Sequence, residues 1–226
     1  MRKLPILLAL ILISIIAKPQ KVELALQSGA SVPVLDFAST DLTSGSFAMT
    51  GFAASAQLKS SIKGNWGVFI QAGIQLNPIE VSLLGYEKVK ADPFLDDIYI
   101  RSDPFKTIEF TAGPTYKWQV LNKMTIEGKL DAGIMVASTP YQLNKPNYFI
   151  VGPSYFEITP STDYCFTFGG GISFIYDITT CYSLAFNTQY LQAAGKFKFI
   201  QGQSLRTESK NINLWNNNLA LIINLF

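Results

Sequence analysis

The chain has 226 residues: 18 are Lys or Arg, 16 are Asp or Glu, two are Cys and none is His. Lack of His excludes Ser-His-Asp and Cys-His catalysis, His-ligated zinc and a His proton shuttle, and a net charge of +2 gives no basis for nucleic-acid binding. Charged residues make up only 15%, against about 25% in an average soluble domain, which points to a membrane.

Met1-Arg2-Lys3 is a positive start, and Leu4 to Ala17 is an apolar run interrupted only by Pro5 and Ser14. Lys18-Pro19-Gln20-Lys21 ends it. A spanning helix needs about 20 apolar residues and a signal-peptide core about 7–15. The run is therefore read as an export signal over residues 1–20, with Ala17 or a position shortly after it as the cleavage site. Residues 21–226 form the mature domain.

No later stretch is apolar enough for a transmembrane helix, and the chain instead alternates with period two. The expected strands are Val22–Val34, Phe47–Ile62, Trp66–Ile79, Phe105–Trp118, Met124–Ala137, Tyr164–Tyr176, Thr180–Ala194 and Ile212–Phe226. In the third, Trp66, Val68, Ile70, Ala72, Ile74 and Leu76 oppose Gly67, Phe69, Gln71, Gly73, Gln75 and Asn77. In the fifth, Leu130, Ile134 and Val136 oppose Glu127, Lys129 and Asp131. A soluble sandwich also alternates, so the composition of the faces decides. The apolar faces hold the bulky residues, while the polar faces are rich in Gly, Ser, Thr and single charges. That is a barrel with its large side chains towards lipid. The fold expected is all-β, an antiparallel up-and-down transmembrane β-barrel of about eight strands.

Connections alternate in length. Lys63–Asn65, Gln119–Lys123 and Asp177–Thr179 are tight turns; Leu35–Ser46, Glu80–Pro104, Ser138–Asp163 and Gly195–Asn211 are long. Short turns face the periplasm in this class, which puts both termini there. Trp66, Trp118, Tyr176 and Tyr182 flank the short turns and read as the periplasmic aromatic girdle. Asn147–Thr159 reads as a hairpin around Gly152-Pro153-Ser154 that either stands above the membrane or adds a strand pair, giving ten. The last strand is ambiguous in facing: Ala220, Ile222 and Phe226 share a face with Asn218 and Asn224, opposite Leu219, Leu221, Ile223 and Leu225.

On the signal segment, the Gly51–Ala56 run, Gly169-Gly170-Gly171 and the terminal Phe226, the chain resembles the small outer-membrane β-barrel proteins of Gram-negative bacteria, such as the OmpA transmembrane domain, OmpX and OmpW. The resemblance implies an outer-membrane location, outer-membrane lipid as surroundings, and Phe226 as the signal presented to the barrel-assembly machinery. It also implies that an enzyme of this class would use a His, which this chain lacks.

The expected lumen charges are Lys59, Glu109, Lys117, Glu127, Lys129 and Asp131, a mixed-sign set that can pair inside a narrow barrel. Drawing Glu109, Glu127 and Asp131 as a glycosidase pair fails, because the adjacent lysines keep them ionised. Asp92, Asp96 and Asp97 lack the spacing of a calcium loop, and Glu80–Pro104 reads as a solvated loop. No catalytic group, cofactor or metal site is expected. Three functions fit: a non-catalytic surface barrel whose loops bind or shield, a narrow pore for small or apolar solutes, or an accessory subunit docking an extracellular or periplasmic protein. Cys165 and Cys181 share one hairpin, with Cys181 expected opposite about residue 175 and Cys165 opposite about residue 191, too far apart for a disulfide. Alkylation and mass spectrometry of unreduced protein should find both thiols free; a linked Cys165–Cys181 peptide would refute the hairpin.

Overall fold

The structure, a computed structural model, describes residues 21–150, 152–201 and 204–225. The signal segment and Phe226 lie outside the described residues. Among the described residues, eleven strands and one α-helix follow in order: β1 (Val22–Pro33), β2 (Gly51–Lys63), β3 (Trp66–Asn77), α1 (Val81–Ala91), β4 (Leu95–Ser102), β5 (Phe105–Leu121), β6 (Met124–Ser138), β7 (Gln142–Tyr148), β8 (Phe156–Ile158), β9 (Thr162–Asp177), β10 (Tyr182–Gln201) and β11 (Ser204–Asn224). Eight of them, β1, β2, β3, β5, β6, β9, β10 and β11, pair antiparallel in that order, and β11 pairs back onto β1 to close a barrel. The ring is eight strands, not ten: β4, β7 and β8 leave it and form a separate three-stranded sheet.

The tight turns fall where the alternation breaks. Gly64 joins β2 to β3 at φ +60, in the left-handed region that hairpin turns favour. The β9–β10 turn sits later than the spacing suggests, because Ser183 pairs with Asp177. Leu191 therefore faces Gly169, and Ala185 faces Ile175. Cys165 is buried near the long-loop end, with its Sγ 3.3 Å from the Met135 carbonyl oxygen. Cys181 is exposed in the turn at the opposite end.

Outward faces carry the bulk. Ile70, Phe110, Leu130, Ile134, Phe166 and Phe168 are all more than half exposed, Leu130 at 66%. Inward faces carry Gln57, Gln71, Glu109, Thr111 and Glu127, each under 5% exposed. The last strand follows the same rule: Leu219 and Leu221 point out, whereas Asn216, Asn218, Ala220 and Ile222 are buried inside.

The long connections are more ordered than their composition suggests. Gly195–Asn211, expected as a loop, continues the β10–β11 hairpin as far as the Gln201–Ser204 pair. Lys196-Phe197-Lys198 keeps the period-two alternation, with Phe197 1% exposed. Glu80–Pro104 is no solvated loop: it holds α1 and β4, which bury Leu84 and Ile100 in an apolar cluster shared with the barrel. The Nζ of Lys88 on α1 donates to Asn144 Oδ1 at 2.9 Å and lies 5.8 Å from the Phe156 ring centroid. Burial there holds the Lys88 ammonium below the usual lysine range.

Leu130→Arg puts a cation on the lipid face at mid-strand and should cost about 2–4 kcal/mol. Thr111→Ser inside the barrel should cost far less. Urea unfolding from lipid vesicles measures both, and equal losses would contradict this facing.

Candidate functional site

Inward-facing residues stack in three layers. At the short-turn end a vestibule of about 1030 Å³ opens, lined by Glu23, Lys117, Lys123, Asp177, Ser183 and Asn224 among others. Lys117 Nζ bonds Glu23 Oε1 at 2.5 Å and lies 3.9 Å from Glu127 Oε2. Glu127 in turn pairs with Lys59, and both are almost wholly buried. Adjacent strands bring these groups together: β1 pairs with β2, and Lys117 faces Glu127 across the β5–β6 ladder. Beside them Ala25, Ile175, Ala185, Ala220 and Ile222 form a small apolar cluster.

The middle layer is an amide network. Gln71 Nε2 donates to Glu109 Oε1 at 2.6 Å and to Gln189 Oε1 at 3.2 Å. Gln189 Nε2 donates to Asp131 Oδ2 at 2.6 Å. Lys129 Nζ donates to Gln71 Oε1 at 3.0 Å and lies 5.3 Å from the Phe69 ring centroid. Lys129, Glu109 and Asp131 are thus joined through neutral amides, while Lys59, Lys117 and Glu127 join directly. Asn187 Nδ2, Gln27 and Gln57 extend the network across β10, β1 and β2.

The outermost layer is apolar. Met135, Ala137, Cys165, Ala193, Phe197, Ile212 and Leu214 point inward and pack with Phe37, Phe47, Leu84, Ile100 and Phe105. A lumen lined throughout by small or polar residues is therefore incorrect here. The strands carry apolar residues on both faces at this end because their inner faces receive side chains from the first loop, α1 and β4. Leu35 and Phe47 both lie in the left-handed region, at φ 53 and φ 52. Such backbone costs about 1–3 kcal/mol per residue, and the insertion of Phe37, 0% exposed, and Phe47, 4% exposed, offsets it.

All six expected lumen charges sit inside the barrel. Glu23, missed in the sequence reading, belongs with them; its signal is odd-position spacing with Gln27 on β1. Trp66, Trp118, Tyr176 and Tyr182 all point outward at the short-turn end. Tyr116 joins that belt, with ring centroids 4.9 Å from Trp66 and 4.5 Å from Trp118. The carboxylates are held by lysines or amides behind the apolar layer, an arrangement suited to fixing strand positions.

No protein-family model matches the chain, and neither does any curated protein. Solved structures do. Neisserial surface protein A superposes with a TM-score of 0.52 at 12% identity, covering 92% of this chain and 98% of that one. A major outer-membrane protein of Thermus thermophilus gives 0.51 at 9% identity, covering 91% and 99%. The chain has the fold of the small outer-membrane β-barrels.

Lys59→Ala strands Glu127 in the interior with Lys117, 3.9 Å away, as a remaining cation. It should lower stability by about 3 kcal/mol, whereas Lys59→Met combined with Glu127→Leu should cost less. Urea titrations in vesicles decide, and a double variant as weak as the single one would contradict the pairing.

Proposed function

We propose that this barrel is a non-catalytic protein of the bacterial outer membrane that acts as a closed scaffold, presenting its long-loop end for surface binding or envelope integrity. The observation that carries this reading is the apolar layer around Phe37, Phe47, Met135, Phe197 and Leu214, which fills the lumen at the long-loop end. A conducting path needs continuous water, and eight strands leave an interior just wide enough for side chains to fill. Below that layer the charges are tied to one another or to Gln amides, so the six lumen residues serve as internal struts. With no His in the chain, the carboxylates also lack the partner that an enzyme of this barrel class would use.

What the scaffold holds up is ordered. The sheet of β4, β7 and β8 with α1 forms a cap whose inner residues, Leu84 and Ile100, belong to the apolar layer. Phe94, Tyr99, Phe149 and Tyr155 stand exposed on it. An exported location is supported by the signal-like first 20 residues, and periplasmic termini are supported by the short turns lying at the same end of the barrel as Val22 and Asn224.

Purified protein in planar bilayers should give no discrete conductance steps. Sustained single-channel openings would overturn the closed-scaffold reading in favour of a narrow pore.

A further inference from the structure

The lipid-facing surface is not uniform around the barrel, and the difference lies in where its cations are. Lys106 on β5 and Lys196 and Lys198 on β10 are exposed and lie on the outward-pointing side of their strands. Lys106 is twelve residues up β5 from the girdle residue Trp118, and Tyr164 is twelve residues up β9 from Tyr176. At about 3.3 Å per residue and a tilt near 45°, twelve residues climb about 28 Å, just past an apolar band about 25 Å tall. Lys106 and Tyr164 therefore stand at the second membrane boundary, and Lys196 and Lys198, fourteen and sixteen residues up β10 from the girdle residue Tyr182, stand about 5 and 9 Å beyond it, among the headgroups. At the corresponding height the other half of the ring carries Pro78, Thr50, Val34 and Asn211, none of them charged.

The strands between the lysines continue the pattern. Lys106 pairs with Ser138, and Ser138 pairs with Thr162, whose hydroxyl donates to Ser138 Oγ at 3.2 Å. On β10, beyond its last pair with β9 at Thr167–Ala193, Lys198 is tied back by its backbone N–H, which donates to Ser161 Oγ at 2.9 Å. Lys196 is held alongside by its backbone N–H, which donates to Asp163 Oδ2 at 2.7 Å. On four adjacent strands, two lysines thus stand on either side of two hydroxyls. None of the three lysines has a carboxylate oxygen within 4.0 Å of its ammonium among the described residues. Directly below, Ile108, Val136 and Tyr164 pair in register, and beneath them Phe110, Ile134 and Phe166 form a second apolar row, each of these three more than half exposed. Beneath that, Ala112 and Ala132 pair side by side and leave the surface low next to Phe168.

We propose that the outer face of β5, β6, β9 and β10 seats a phosphorylated membrane lipid, with its phosphate on the Lys106–Ser138–Thr162–Lys198 group beside Lys196 and its acyl chains over Phe110, Ile134, Phe166 and the Ala112–Ala132 depression. This rests on the membrane-barrel reading. Outward-pointing lysines gathered on β5 and β10 at and just beyond the boundary are complementary to a dianionic headgroup, and hydroxyl donors between them suit its oxygens. The bulky and small residues below provide a shaped surface for chains, which evenly distributed apolar residues would not.

The test uses the full mature barrel in nanodiscs of an equal mixture of phosphatidic acid and phosphatidylcholine, released into mild detergent for native mass spectrometry. The wild-type barrel should retain phosphatidic acid in preference to phosphatidylcholine. Lys106→Ser combined with Lys198→Ser should lower that retention about tenfold, and Lys106→Arg with Lys198→Arg should keep it. Heat-modifiable migration of each variant reports that the barrel has folded. Retention without headgroup preference, or unchanged by the serine variant, overturns the site while leaving the membrane barrel standing. A wild-type chain that does not enter nanodiscs overturns the membrane reading and the site with it.

Discussion

Hydrocarbon offers a peptide group nothing to hydrogen-bond with, so a chain that crosses it in strands must pair every backbone N–H and C=O with another strand. The contact on which this architecture depends is therefore the ladder between β1 and β11, from Glu23↔Asn224 to Pro33↔Leu214. It joins the two ends of the described chain and removes both sheet edges at once. Once the ring is closed, alternation leaves each strand one face towards lipid and one towards its neighbours' inner faces, and the chain places its bulky apolar residues on the first.

Closure at eight strands makes the interior narrow, and what the inner faces carry then decides what the barrel can do. Lysines, carboxylates and Gln amides at mid-height reach across the lumen and hold non-adjacent strands together, as Gln71 on β3 does with Gln189 on β10. Further up, the inner faces turn apolar and accept Phe37 and Phe47 from the first loop and Leu84 and Ile100 from the cap. The same side chains thus close the lumen and anchor the external sheet, which is why the cap is ordered instead of trailing as a loop.

The barrel strands are legible in the sequence because period two survives wherever one face is uniformly apolar, as in Trp66–Asn77 or Met124–Ser138. It fails to decide where both faces are apolar. In Asn211–Phe226 the outward Leu219 and Leu221 resemble the inward Ala220 and Ile222, and only the β1 partner, in the pair Leu26↔Leu221, settles the facing. The apolar layer leaves a weak signal for a related reason. Met135, Phe197 and Leu214 are far apart in sequence, and their partner Phe37 sits in a segment that reads as a polar loop. The extended hairpin had a readable trace in Lys196-Phe197-Lys198, masked by its charge. The Lys59–Glu127–Lys117 group was legible residue by residue from strand parity, whereas the Gln71 and Gln189 links that join Lys129, Glu109 and Asp131 depend on distances across the lumen.

The central claim, that bulk faces lipid and polarity faces inward, bears directly on the chain's three tryptophans. Trp66, Trp118 and Trp215 all point outward, at 57%, 51% and 46% exposure. The decisive measurement is tryptophan emission of the refolded protein in vesicles made from lipids with brominated acyl chains. The inside-out barrel predicts strong quenching relative to unbrominated vesicles, with little further loss on adding aqueous iodide. Emission untouched by the brominated chains but quenched by iodide would contradict it.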